Sequence, residues 1–82
     1  MKILIVDDER SIRNSLKEIL VDEGYDVDVA ENGVQGCDMV DKEKYSVIFC
    51  DIKMPEMDGM EVLDRLTSMG VDSSVVMISG HG

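Results

Sequence analysis

The chain has 82 residues and an apolar fraction of 44%, which is enough for one modest hydrophobic core and too little for two domains. Eighteen acidic and eight basic residues give a formal net charge of −10, which repels phosphate backbones and anionic lipid surfaces and argues against nucleic-acid contact by this segment. The longest apolar runs have four residues, against the roughly 20 that a membrane helix requires. No apolar stretch of signal-peptide length is visible, so we expect a cytoplasmic protein without membrane contact.

The cysteine and histidine content argues against a disulfide framework and against a zinc site. The chain has two cysteines, Cys37 and Cys50, and a single histidine, His81. Both cysteines stand among apolar neighbours, so we expect reduced thiols in the core. The candidate functional groups that remain are the carboxylate oxygens of the acidic side chains.

Four strands are predicted, at residues 2–7, 26–30, 46–51 and 75–79. The first and third are continuous apolar runs, which are typical of strands buried on both faces of a parallel sheet. The second alternates polar and apolar residues, which indicates a half-exposed edge strand.

Amphipathic helices are predicted between the strands. In the first, the apolar residues recur at helical spacing: Ile12, Leu16, Ile19 and Leu20. Either Ser11 or Asp8 is expected to cap its start, and Gly24 to end it. The second helix has a weaker pattern that starts after Asn32-Gly33 and places Cys37 and Val40 on its inner face, beside Gly36.

The third helix carries the clearest boundary signals. Asp58 and Glu61 have the spacing of a capping box, and Gly70 marks the end. Its predicted inner face continues through Leu63, Leu66 and Met69. Strand and helix therefore alternate along the chain, which predicts an α/β fold in which right-handed crossovers place helices on both faces of a parallel sheet.

Three carboxylates occur where predicted strands end. Asp7 and Asp8 close the first strand and Asp51 closes the third. Ligands of open parallel sheets bind outside the carboxyl ends of the strands, so these side chains converge if the two strands are neighbours. Acidic loops exposed to solvent are the simpler explanation for any single aspartate. Three together repel one another unless a cation is bound, and oxygen ligands without His or Cys favour Mg²⁺.

These residues occur in a recognisable combination. Asp7-Asp8 after an apolar strand, the segment DIKMPEMDG from Asp51 to Gly59, and Ser79 after the fourth strand resemble the receiver domains of bacterial two-component response regulators. The resemblance covers the whole chain, and the ending SGHG is most similar to receivers attached to AAA+ transcriptional activators. It implies a flavodoxin-like doubly wound parallel sheet in the order 2-1-3-4. It also implies a phosphoprotein of phosphorelay signal transduction that regulates transcription.

The resemblance also implies a role for each matching residue. Asp51 is the phospho-acceptor, which takes a phosphoryl group from the phosphohistidine of a sensor histidine kinase and also contributes to the Mg²⁺ site. Asp8 is a direct Mg²⁺ ligand, Asp7 is a partner acid that acts largely through water, and the backbone carbonyl of Lys53 is a further ligand. Ser79 supplies a hydroxyl that hydrogen-bonds a phosphoryl oxygen.

Neighbouring motif residues have simpler interpretations. Pro55 and Gly59 are expected to shape the loop and the helix start, because Pro restricts φ and Gly fits where other residues do not. The side chains of Lys53 and His81 occupy positions where the family tunes hydrolysis of the acyl phosphate, and ordinary solvent exposure explains them equally well.

One departure from the family concerns the C-terminal part. The family's domain has five βα units and a lysine after the fifth strand that contacts the phosphoryl group, and residues 1–82 contain neither. We therefore expect a C-terminally incomplete receiver domain that accepts phosphate slowly. The uncovered fourth strand is expected to promote self-association, as a homodimer or by exchange of elements.

Two other functions compete with that of a phospho-accepting domain that promotes its own phosphorylation without being a turnover enzyme. A Mg²⁺-dependent phosphatase would need a second acid as general acid and a cap over the substrate, and the sequence suggests neither. A phosphorylation-independent interaction module with the same fold would be expected to lose the acidic pair or the acceptor. Here Asp7, Asp8 and Asp51 are all present.

Overall fold

The structure, a computed structural model, describes residues 1–78. Its elements in chain order are β1 (Lys2–Val6), α1 (Arg10–Asp22), β2 (Asp26–Ala30), α2 (Gly33–Lys42), β3 (Val47–Asp51), α3 (Gly59–Ser68) and β4 (Ser74–Ile78). Within these residues the strands form one parallel sheet in the order β2-β1-β3-β4. The predicted flavodoxin-like topology and strand order are thus confirmed.

The sheet separates two apolar clusters, because alternate residues of a strand face opposite sides. On one side, Leu4, Val6, Ile48 and Cys50 pack with the helices α2 and α3. On the other side, residues of β1 and β2 pack with α1 through its half-buried Leu16 and Leu20: Ile3, Ile5 and Val27. One helix therefore covers one face and two helices cover the other, in agreement with the prediction of helices on both faces.

Helix α1 starts differently from the prediction. Its N-cap residue is Glu9 instead of Asp8 or Ser11. The Glu9 amide donates to Oδ1 of Asp7 at 2.9 Å, so the preceding strand end takes part in the start of this helix. The predicted end is confirmed, since Gly24 has a φ of +92° and follows the C-cap residue.

The inner faces of α1 and α3 are narrower than predicted. Ile19 is 59% exposed, although it lies about 20° around the helix axis from the half-buried Ile12. In α3 the buried pair is Val62 and Leu66, four residues apart. Met69 was wrongly assigned to the inner face, since it is the C-cap residue and is 40% exposed.

Helix α2 approaches the sheet closely because glycine faces it. A Cβ on Gly36 would meet Cγ2 of Val6 at 2.9 Å. Asn32 caps this helix, and its side chain accepts a hydrogen bond from the Gln35 amide at 2.8 Å. The weak apolar pattern of α2 thus reflects small residues at a tight contact.

Both cysteines are free thiols in the core, as predicted. Burial raises the pKa of the Cys37 thiol and raises that of Cys50 to about 12. Neither thiol is therefore ionised near neutral pH. Among residues 1–78, every helix is too short or too polar to cross a lipid bilayer.

A candidate carboxylate metal site

The candidate site lies where β1 and β3 end side by side. Val6 in β1 pairs with Cys50 in β3, and the residues that follow them are Asp7 and Asp51. The other neighbour of β1 is β2, so the order of the strands reverses between β1 and β3. Crevices at such reversals are where open α/β sheets bind ligands.

The structure brings three carboxylates together at this reversal. Asp7, Asp8 and Asp51 each offer one carboxylate oxygen, and these oxygens all lie within 4.8 Å of one another. Asp7 and Asp51 are fully buried, whereas Asp8 is exposed. The cluster is therefore a half-enclosed site that opens to solvent on the side of Asp8.

The two buried carboxylates are only partly satisfied by hydrogen bonds. Oδ1 of Asp7 accepts from the Glu9 amide, and Oδ1 of Asp51 accepts a longer bond of 3.4 Å from the Lys53 amide. Oδ2 of each aspartate is buried and has no hydrogen-bond partner among residues 1–78. A buried carboxylate oxygen without a partner costs about 1–3 kcal/mol or more, so binding of a cation or a proton at these atoms would be favourable.

Burial raises the pKa of the Asp7 carboxyl above its ordinary value of 3.8. The hydrogen bond from the Glu9 amide opposes this change, while the negative charges of Asp51 and Asp8 add to it. Without a cation, the cluster is thus electrostatically unfavourable when it is ionised.

The donor set fits Mg²⁺. Oxygens on opposite sides of one Mg²⁺ lie about 4 Å apart, since each Mg–O bond is about 2.1 Å. The three carboxylate oxygens of the cluster, which lie within 4.8 Å of one another, are close to this separation. Mg²⁺ also keeps several of its waters, and the exposed side of the cluster leaves room for them.

The raised pKa predicts a pH-dependent stability. A carboxyl whose pKa is raised by folding holds its proton to higher pH in the folded chain than in the unfolded one. In EDTA, the free energy of unfolding should therefore fall as pH rises above 3.8 and through the raised pKa of Asp7. Urea unfolding at several pH values measures the slope, and Asp7→Asn should flatten it. An equal slope in parent and Asp7→Asn proteins would contradict the prediction.

The loop between β3 and α3 is held against the site. Met54 and Met57 are buried in the core and anchor it, while Pro55 is exposed. The Gly59 amide donates to the Ile52 carbonyl at 2.8 Å. A Cβ on Gly59 would meet the backbone carbonyl of Asp51, so the close approach of α3 to the end of β3 requires glycine there.

Of the remaining candidate site residues, Lys53 lies in the described part of the chain. Lys53 has an exposed side chain, and its backbone amide contacts Asp51. Ser79 and His81 lie outside the described residues.

One contact was missed by sequence reasoning: Nη1 of Arg13 donates to the backbone carbonyl of Asp7 at 2.8 Å. The sequence signal for this contact is a cationic residue in the first turn of the helix that follows the acidic pair.

Comparison with known proteins identifies related sequences and folds. The profile of the response regulator receiver domain matches residues 3–82. The chain is 41% identical over 81 residues to sporulation initiation phosphotransferase F of Bacillus subtilis (strain 168), covering 99% of this chain and 65% of that protein. It is 38% identical over 81 residues to the response regulator MprA of Mycobacterium avium (strain 104), covering 99% of this chain and 36% of that protein.

A solved structure shows the same architecture. The response regulator protein TrrA from Thermotoga maritima, in complex with Mg²⁺-BeF, superposes with a TM-score of 0.92 at 36% sequence identity. The match covers 99% of this chain and 70% of that chain. The chain spans 36% of the length of the Mycobacterium avium relative and 65% of the length of the Bacillus subtilis relative.

Proposed function

The chain belongs to the response regulator receiver domain family, and from that membership we propose that Asp51 accepts a phosphoryl group from the phosphohistidine of a sensor histidine kinase. The observation that carries this proposal is the convergence of three carboxylates at the strand reversal, two of them with a buried oxygen that has no hydrogen-bond partner in the described part of the chain. Phosphorylation then switches a downstream output, for which we propose transcription, in the cytoplasm where the kinase's phosphohistidine is formed.

The proposed chemistry is one in-line displacement. A carboxylate oxygen of Asp51 attacks the phosphorus, and an O–P bond forms as the N–P bond of the phosphohistidine breaks. The imidazole nitrogen leaves with the electron pair and is protonated. The product is a mixed anhydride between the Asp51 carboxyl and phosphate, and a water molecule later hydrolyses it.

We propose that Asp7, Asp8, Asp51 and the carbonyl of Lys53 hold Mg²⁺. When bound, the ion would offset the negative charges of the carboxylates and of the phosphoryl group. Asp7 is held by the Glu9 amide with its second oxygen free for this site. Asp8 adds a carboxylate on the solvent side, and we propose that Ser79 hydrogen-bonds a phosphoryl oxygen.

Phosphorylation with a small donor tests the proposal. The 82-residue chain and a chimera that continues it with the C-terminal third of the Bacillus subtilis relative are treated with acetyl phosphate and Mg²⁺. We expect one acid-stable, hydroxylamine-sensitive phosphoryl group per chimera, which EDTA prevents. Asp8→Ala should slow labelling about tenfold or more, because it removes an ion ligand. We expect the 82-residue chain to label more slowly, since family members contact the phosphoryl group with a lysine from the later segment.

Two results would contradict the proposal. A chimera that binds Mg²⁺ but takes no label would indicate a module that works without phosphorylation. Steady release of phosphate over many turnovers from simple phosphate esters would indicate a phosphatase.

A further inference from the structure

Arg13 connects the first turn of α1 to the strand end that carries two of the three carboxylates. Its side chain is half-buried, and Nη1 donates to the Asp7 carbonyl at 2.8 Å. The two residues are six positions apart, so the bond spans the whole loop between β1 and α1. The hydrogen bond therefore links the start of this loop to its end.

The bond completes a set of restraints on Asp7. The Asp7 amide donates to the Ala30 carbonyl at 3.2 Å, and Oδ1 of Asp7 accepts from the Glu9 amide. With the carbonyl held by Arg13, the backbone and one carboxylate oxygen are all restrained. Oδ2, the buried oxygen without a hydrogen-bond partner among residues 1–78, is left for a ligand.

The same bond also restrains Asp8. The carbonyl of Asp7 and the amide of Asp8 belong to one peptide unit, which is planar. Holding that carbonyl therefore sets the direction in which the chain enters Asp8. This matters because Asp8 is exposed, so packing does little to hold its carboxylate toward Asp7 and Asp51.

Within residues 1–78, the guanidinium of Arg13 donates to a backbone carbonyl and not to a carboxylate. A guanidinium that paired with the aspartates would compete with a cation for their oxygens. Bound to the carbonyl, it leaves those oxygens available and still places a permanent positive charge beside an acidic loop. Arg13 is thus better placed to support a cation site than to occupy it.

We propose that Arg13 is a positioning residue for the divalent cation: it holds the peptide unit between Asp7 and Asp8 so that both carboxylates face the ion. The inference rests on the proposed function, because it assigns the cluster of Asp7, Asp8 and Asp51 to cation binding. Partners that orient a ligand from outside the first coordination sphere typically change metal affinity about 10-fold to 100-fold when they are removed.

Three variants test this role with Mn²⁺ as a paramagnetic probe. Arg13→Met removes the donor and the charge but keeps the apolar stem, Arg13→Lys restores a donor, and Lys17→Met removes one charge from an exposed site on the same helix. Mn²⁺ affinity is measured by electron paramagnetic resonance, and unfolding is followed separately in EDTA.

We expect Arg13→Met to weaken Mn²⁺ binding about tenfold, Lys17→Met to weaken it less than twofold, and Arg13→Lys to recover most of the loss. The urea midpoint in EDTA should move far less than the affinity. Equal affinities in Arg13→Met and Lys17→Met proteins would overturn the inference, as would a loss of affinity that only parallels a loss of folded protein. Absence of Mn²⁺ binding by the parent chain would instead overturn the proposed function.

A measurement on the parent chain covers the case in which Arg13→Met does not fold. In a Mg²⁺ titration followed by NMR, the guanidinium signals of Arg13 should shift with the same midpoint as the amide of Asp8. Arg13 signals that stay unchanged while the Asp8 amide shifts would overturn the inference.

Discussion

Asp51→Asn is expected to abolish phosphoryl transfer to the chain. The amide is neutral and has no carboxylate oxygen to attack phosphorus, and loss of a nucleophile typically lowers such rates by roughly a thousandfold or more. The variant should still fold, because one of three mutually repelling charges is removed from the cluster. Labelling by acetyl phosphate with Mg²⁺, in the chimera used for the parent, measures the effect.

A matched control separates the acceptor from general changes in charge. Asp64 is exposed on α3 and is outside the three-carboxylate cluster, so Asp64→Asn makes the same chemical change elsewhere. We expect it to label at the parent rate. Undiminished labelling of the Asp51→Asn protein would show that another residue accepts the phosphoryl group.

Gly59→Ala is expected to destabilise the chain and to disturb the position of Asp51 together. An added Cβ would meet the Asp51 carbonyl, and would lie 2.8 Å from Cα of Ile52 and 2.7 Å from the terminal methyl of Met77. Two of these three contacts are with backbone, which cannot rotate away. Overpacking of this kind costs about 2–3 kcal/mol, and its relief would displace the end of β3. Urea unfolding in EDTA measures the free energy, and a Mn²⁺ titration measures the effect on the site.

Gly36→Ala is the appropriate control. It lies on α2 and is less crowded, since the nearest atoms to its added Cβ are side-chain atoms of Val6 at 2.9 Å or more. We expect a smaller loss of stability, because alanine favours the helix by about 1 kcal/mol and offsets part of the strain. Its Mn²⁺ affinity should match that of the parent. If Gly59→Ala behaves like Gly36→Ala in both measurements, the backbone contact at Asp51 does not constrain the site.

The sheet could be predicted from the sequence because its signals are local. Buried parallel strands need continuous apolar runs, and residues 3–6 and 47–50 have them. Alternation of strands with helices then leaves few allowed topologies, since crossovers are short and right-handed. The meeting of Asp7, Asp8 and Asp51 follows from the same facts, because carboxyl ends of neighbouring parallel strands share one edge.

Contacts between distant parts of the chain were decided only by the tertiary structure. Helix periodicity identifies an apolar side, but burial depends on what packs there, which is why Val62 and Leu66 are buried and Met69 is not. Composition likewise cannot tell that two aspartates are fully buried while Asp8 is exposed.

The sequence by itself therefore determined the alternation of elements and the placing of acidic residues at strand ends, because both depend on patterns a few residues long. The tertiary structure decided the rest. Atomic packing across the sheet and loop buries Oδ2 of Asp7 and Asp51 without a partner among residues 1–78, and it places Arg13 against the Asp7 carbonyl. Hydrogen bonds require donor and acceptor within about 3 Å, and only the assembled fold sets such distances.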